Sequence, residues 1–231
     1  MLIKSIAFAI CISVCFESPL SKYETAAAKW EPEIVKLEQL DQSEVAGAND
    51  ILFLGSSSIR LWKEIAQDMA PWSVVSRGYG GAKYSDLAIY VNRLVATHHP
   101  RAVVIYVGND ITGKSSDKTP EEIVLLVDHI TTNIQAKLPN TDIFFIGITP
   151  APVRWQAWPE ISAANVAIAE YCKLKSTTHF IATAKEYLND QGMPREELFL
   201  KDRLHQNTDG YAIWNKIIKR GLESVLTNKP K

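Results

Sequence analysis

Three stretches of this chain are apolar almost without a break: "ILFL" at 51–54, "AVVIYV" at 102–107 and "DIFFIGI" at 142–148. Successive side chains of a strand point to opposite faces, so a strand with one wet face alternates apolar and polar residues. An unbroken run means that both faces are covered, as in parallel sheets packed between helices. Shorter runs, "WSVVSR" at 72–77 and "HFIAT" at 179–183, supply two more strands. Segments of helical period lie between them. They predict helices over 59–69, with Ile59, Trp62, Ile65, Ala66 and Met69 inward, over 85–96, over 120–138 with Pro120 in the first turn, and over 159–175. A closing helix over 208–226 is expected to be capped by Thr208, and an opening one within 29–44 to place Trp30, Ile34, Leu37 and Leu40 on one side. Strands alternating with helices predict an α/β chain: a three-layer α/β/α sandwich around a five-stranded parallel sheet.

The first 22 residues fall outside that pattern. Lys4, an apolar stretch over 6–16 and polar residues after it fit a secretory signal, and the stretch is short for a membrane span. No clean small-x-small cleavage site follows. Residues 1–22 are therefore read as a signal peptide or an uncleaved N-terminal anchor, and 23–231 as the functional domain. Export to a periplasmic or secreted location is expected, and a membrane tether only through the leader. Cys11 and Cys15 lie in that leader, so Cys172 alone is left for the rest, as a core residue without a disulfide partner. The formal net charge is −1, and no long basic run offers a surface for nucleic acid.

In a parallel sheet of this kind, ligands bind beyond the carboxyl ends of the strands. The first strand runs into Gly55-Ser56-Ser57-Ser58, the second into "RGYGGAK" at 77–83, the third into Gly108-Asn109-Asp110 and the fourth into "TPAPVRW" at 149–155. The loop after the fifth carries "LFLKDRLHQNTDGY", in which Asp202 precedes His205 by three residues. Hydroxyls, glycines, an amide and an Asp–His pair brought to one edge are the inventory of serine-nucleophile hydrolysis. No metal-ligand spacing is present: His98 and His99 are adjacent, and His129 and His179 have no near partner. Asp86 and Asp110 read as loop hydrogen-bonding groups. Arg154, Trp155 and Trp158 are candidates to line a substrate pocket, or else a packed loop.

These segments resemble, in order, the blocks of the SGNH (GDSL-type) hydrolase family. The likeness is nearest to bacterial GDSL-like esterases with a Gly-Ser-Ser-Ser first block, and more distant to platelet-activating-factor acetylhydrolase catalytic subunits. It implies a flavodoxin-like sheet and no cofactor. "FLGSSSI" lies on the Gly-Asp-Ser-Leu block, with Ser56 in place of Asp, Ser57 as nucleophile and Ser58 beginning or capping the following helix. By the same resemblance Gly81 and Asn109 join the N–H of Ser57 as oxyanion donors, although the Asn block is one residue shorter than the usual Gly-x-Asn-Asp. His205 becomes the general base and Asp202 its orienting partner, a role that a backbone carbonyl can share. The expected activity is that of a serine esterase acting on small-molecule esters through an acyl-enzyme. The loops are short, which favours small acyl groups, acetyl above all. A lysophospholipase or thioesterase of the same family, or a non-catalytic binding module on the same fold, are the rival readings.

Overall fold

The computed structural model describes residues 20–227. Helices α1 (Ser21–Ala27) and α2 (Glu31–Leu40) precede strand β1 (Asp50–Gly55). There follow α3 (Ser57–Arg60), α4 (Ile65–Asp68), β2 (Ser73–Gly78), α5 (Tyr84–Leu94), β3 (Ala102–Tyr106), α6 (Pro120–Lys137), β4 (Asp142–Ile146), α7 (Trp158–Lys173), β5 (Thr178–Ile181) and α8 (Thr208–Leu226). The strands pair in the order β2-β1-β3-β4-β5, and every pairing is parallel. This is the doubly wound, flavodoxin-like sheet.

The unbroken apolar runs are explained by what covers each face. Leu52, Leu54, Val103, Ile105, Ile143 and Phe145 point into one layer, with side chains from α1, α2, α5, α6 and α7. Ile51, Phe53, Val104, Phe144 and Ile146 point into the other, against the α3–α4 segment and α8. Burial of each large side chain stabilises by about 1.5–3 kcal/mol, so neither face tolerates a polar residue in the middle strands.

Several local expectations are corrected. The single helix over 59–69 is two short helices, α3 and α4, with a turn between them. The turn still buries Ile59, Trp62, Ile65 and Met69, while Ala66 is exposed. Leu40 is also exposed, at 48%, because α2 lies against α5 only along the side that carries Ile34 and Leu37. The cap of α8 is Asn207, not Thr208: its side-chain oxygen accepts the Gly210 N–H at 3.1 Å. Residues 20–22, read as part of the leader, are the start of the described chain. Leu20 is buried and Lys22 pairs with Glu122 on α6. Residues 1–19, which carry the rest of the signal or anchor reading, lie outside the described residues.

A buried polar cluster ties the N-terminal helices to the sheet. Arg77 on β2 is 1% exposed, and its fork reaches Asp41 at 2.7 Å and Glu44 at 2.9 Å. His98, fully buried, accepts the Ala46 N–H on Nδ1 at 3.0 Å, which places the ring proton on Nε2. That nitrogen faces Asp41 Oδ1 at 3.1 Å without hydrogen-bond alignment. Burial pushes the His98 pKa below 6.5, against the pull of Asp41 and helped by the Arg77 charge. The unfolded imidazole therefore takes up a proton at a pH where the folded one does not. Stability contributed by neutral His98 is complete above the unfolded pKa and is lost as pH falls from there toward the folded value. Urea midpoints measured from about pH 7.5 to about pH 5 should decline, and a His98→Asn variant should start lower but decline less steeply.

Candidate active site

The turn after β1 is built by a close contact. Gly55 has φ +141°, and a Cβ there would lie 2.0 Å from the carbonyl oxygen of Tyr106 on β3. Only glycine permits that approach. The same carbonyl accepts the Ser56 N–H at 2.9 Å. Ser56 remains extended, and its own carbonyl accepts the N–H groups of Ile59 and Arg60 at 3.0 and 3.2 Å. The chain thus enters α3 with Ser57 as its first residue, its N–H without an acceptor inside the helix. Ser58 neither begins nor caps the helix. It is the second helical residue, buried, and its carbonyl accepts the Tyr211 hydroxyl at 2.9 Å.

Ser57 Oγ lies 2.9 Å from His205 Nε2, and His205 Nδ1 lies 2.6 Å from Asp202 Oδ2. The second carboxylate oxygen accepts the backbone N–H groups of Leu204 and His205, each at 3.0 Å. No backbone carbonyl shares Nδ1 among the described contacts, so Asp202 alone orients the ring. Burial works to raise the Asp202 pKa, but the bonds from the imidazole and the two N–H groups outweigh it and hold the value down at about 2. Between Asp202 and His205, Arg203 adopts φ +57°, rare for a side chain of its size. The loop is held in that shape by Leu200 N–H to His205 O at 2.8 Å and by Val153 N–H to Arg203 O at 3.1 Å.

Asn109 follows β3 and lines the same cavity as Ser57 and His205, despite the shortened block. Its Nδ2 donates to Ala82 O at 2.9 Å, which ties it to the loop that carries Gly81. Its Oδ1 accepts from Arg154 Nη2 at 2.5 Å, and Arg154 Nη1 donates to Gly108 O. The role of Arg154 toward Asn109 could not be read from spacing, because 45 residues separate them. Gly81 has φ +63° and sits against Trp30, whose ring would lie 3.3 Å from an added Cβ. It is exposed and does not line the cavity around Ser57.

A model of the GDSL-like lipase/acylhydrolase family matches residues 45–213. The chain belongs to this family. Its members' class, hydrolase, is therefore that of this protein. None of the curated proteins matches it at a significant level. Among solved structures, a GDSL-like lipase from Bacteroides thetaiotaomicron is similar at 18% identity and TM-score 0.64, over 89% of this chain and 98% of that one. A Streptococcus pneumonia protein provisionally named a platelet activating factor is similar at 20% identity and TM-score 0.73, over 87% and 96%. A family 3 carbohydrate esterase from Talaromyces cellulolyticus is similar at 15% identity and TM-score 0.63, over 80% and 100%. At these identities the likeness is one of fold.

In this GDSL-like hydrolase the cavity beside Ser57 is small, about 20 Å³. Tyr106, Ile148, Thr149, Ala151 and Gln206 share its wall with the residues named above. Trp155 and Trp158 stack on each other, centroids 5.9 Å apart, and do not line it. Asp86 accepts the Trp30 indole N–H and the Lys83 N–H, and Asp110 accepts the Tyr84 N–H at 2.7 Å, so both hold loops in place. Cys172 is buried, which pushes its thiol up to about 12. Among the described residues no group of three His, Cys, Asp or Glu side chains could hold a metal, and no helix is long and apolar enough to cross a membrane. Gly55→Ala should lower the free energy of unfolding by roughly 3 kcal/mol or more, since the added carbon meets backbone in a left-handed conformation. Urea titration checks this, and a loss under about 1 kcal/mol would show that β1 and β3 can part without cost.

Proposed function

We propose that the protein is a serine esterase that hydrolyses short-acyl carboxylic esters through an acyl-enzyme on Ser57. The observation that carries this reading is the continuous hydrogen-bonded chain Ser57–His205–Asp202, with Asn109 on the same cavity wall. Ser57 Oγ attacks the ester carbonyl carbon while its proton passes to His205 Nε2. Asp202, ionised at any working pH, holds the ring with Nδ1–H toward itself and stabilises the imidazolium. The carbonyl oxygen, now an anion, takes the Ser57 N–H and the second Nδ2–H of Asn109; Gly81, which lies outside the cavity wall, takes no part. Donors of this kind are each worth about 3–4 kcal/mol in the transition state. His205 returns the proton to the leaving alcohol. Water, deprotonated by the same ring, then attacks the acyl-enzyme and releases the acid.

Short acyl groups are favoured by the size of the cavity. About 20 Å³ is little more than the room one water needs. An acetyl methyl fits such a space, and a long chain would have to lie outside it. The carbohydrate esterase neighbour is consistent with a polar alcohol portion.

Ser57→Ala should remove labelling by a fluorophosphonate probe and reduce hydrolysis of p-nitrophenyl acetate by about 10⁴-fold or more, with His205→Ala nearly as damaging and the double variant scarcely worse. Asp202→Asn should cost about 10³-fold or more in kcat, because an amide beside Nδ1 forces the wrong tautomer and no other group orients the ring. Wild-type protein that neither labels nor turns over would make this a binding module. In a chain-length series of p-nitrophenyl esters, kcat/KM should fall from acetyl and butyryl toward octanoyl. A maximum at long chains would overturn the short-acyl reading and point to a lysophospholipase or thioesterase.

A further inference from the structure

We infer that Arg154 is a positioning residue that fixes and polarises the oxyanion amide of Asn109, acting on the reaction through that amide. The inference rests on the esterase reading above and adds a residue to its machinery.

The guanidinium reaches two consecutive residues at the end of β3, the carbonyl of Gly108 and the side-chain oxygen of Asn109. A planar fork can span such a pair, and a lysine ammonium cannot do so with the same geometry. Asn109 is then gripped from both ends, since its Nδ2 donates to Ala82 O. A rotated amide would set its NH₂ group against the Arg154 NH₂ group and its oxygen against the Ala82 carbonyl. Both contacts would be repulsive, so the amide has one orientation only. That orientation leaves one Nδ2–H free for a ligand in the cavity.

Charge adds to position. No carboxylate forms an ion pair with Arg154 among the described residues, and the guanidinium lines the same cavity as Ser57. Burial lowers its pKa, the mark of a cation that is poorly solvated. A cation bound to the amide oxygen draws electron density from the nitrogen and makes its remaining N–H a stronger donor. The effect is largest when negative charge develops on the far side of the amide. The backbone makes a second link. Val153, next in the chain, donates its N–H to Arg203 O in the loop that holds Asp202 and His205. One turn, residues 152–157, thus braces both the oxyanion side and the base side of the site.

The test is a double-mutant cycle on p-nitrophenyl acetate, with melting temperatures recorded for every variant. Arg154→Met should lower kcat by about tenfold to hundredfold while KM changes by less than about twofold, since the lost interaction is made in the transition state. It should weaken binding of a trifluoromethyl ketone, whose adduct carries an oxyanion, by a similar factor. In an Asn109→Ala background the same substitution should have no further effect, because Arg154 then has no amide to act on. An equal loss in both backgrounds, or a loss confined to KM, would overturn the proposal. If the methionine variant does not fold, Arg154→Lys, which keeps the charge and loses the fork, should fall between wild type and Asn109→Ala; wild-type kcat in that variant would also overturn it. Wild-type kcat in Arg154→Met together with an inactive Ser57→Ala removes the inference and leaves the esterase reading intact. An active Ser57→Ala removes both.

Discussion

The contact between Gly55 and the Tyr106 carbonyl is the constraint on which the site depends. It lets β1 and β3 pair to the last residue, and it turns the chain sharply enough for Ser57 to leave the sheet as the first residue of α3. The same Tyr106 carbonyl binds the Ser56 N–H, so one oxygen both closes the sheet and starts the turn. β1 and β3 are neighbours at the point where the strand order reverses, and loops leave that point in opposite directions. The crevice that results holds Ser57 from one strand and Asn109 from the other.

The two halves of the site are held by different physics. The His205 side is a strained loop kept in place by backbone hydrogen bonds, with Arg203 in a left-handed conformation. Asp202 is half exposed there, yet its four hydrogen-bonding directions are largely used by the imidazole and two backbone N–H groups. The Asn109 side is held through its side chain, whose oxygen accepts from Arg154 and whose nitrogen donates to the Ala82 backbone carbonyl. A displacement of about an ångström in either half would be enough to slow the proposed chemistry substantially.

The N-terminal helices take part in the same arrangement. Trp30 covers Gly81 and donates to Asp86 at the start of α5, and Arg93 on α5 pairs with Glu31 and Glu38. The Arg77–Asp41–His98 cluster anchors the end of α2 to the edge strand β2. The loop between β2 and α5 is therefore packed from outside as well as tied to Asn109 from inside.

Much of this was legible in the residues themselves. Unbroken apolar runs at 51–54 and 102–107 required a sheet covered on both faces, because no half-exposed strand survives without polar alternation. The blocks around Ser57, Asn109 and His205 were recognisable because they resemble those of the family and occur in its order, the first two just beyond strand ends and the third in the long loop after β5. The split of the helix over 59–69, the exposure of Ala66 and Leu40, and the cap at Asn207 were not legible. Helical period says which residues share a face, not where the neighbouring element ends. Nor could local pattern reveal that Arg154 grips Asn109 or that His98 is buried against Asp41. Sequence alone set the layers, through periodicity, and pointed to the candidate reacting groups through the resemblance of their blocks to the family's. Tertiary structure alone decided which of those groups touch and which partners hold them, because distances across 45 or 148 residues are set by packing, not by spacing along the chain.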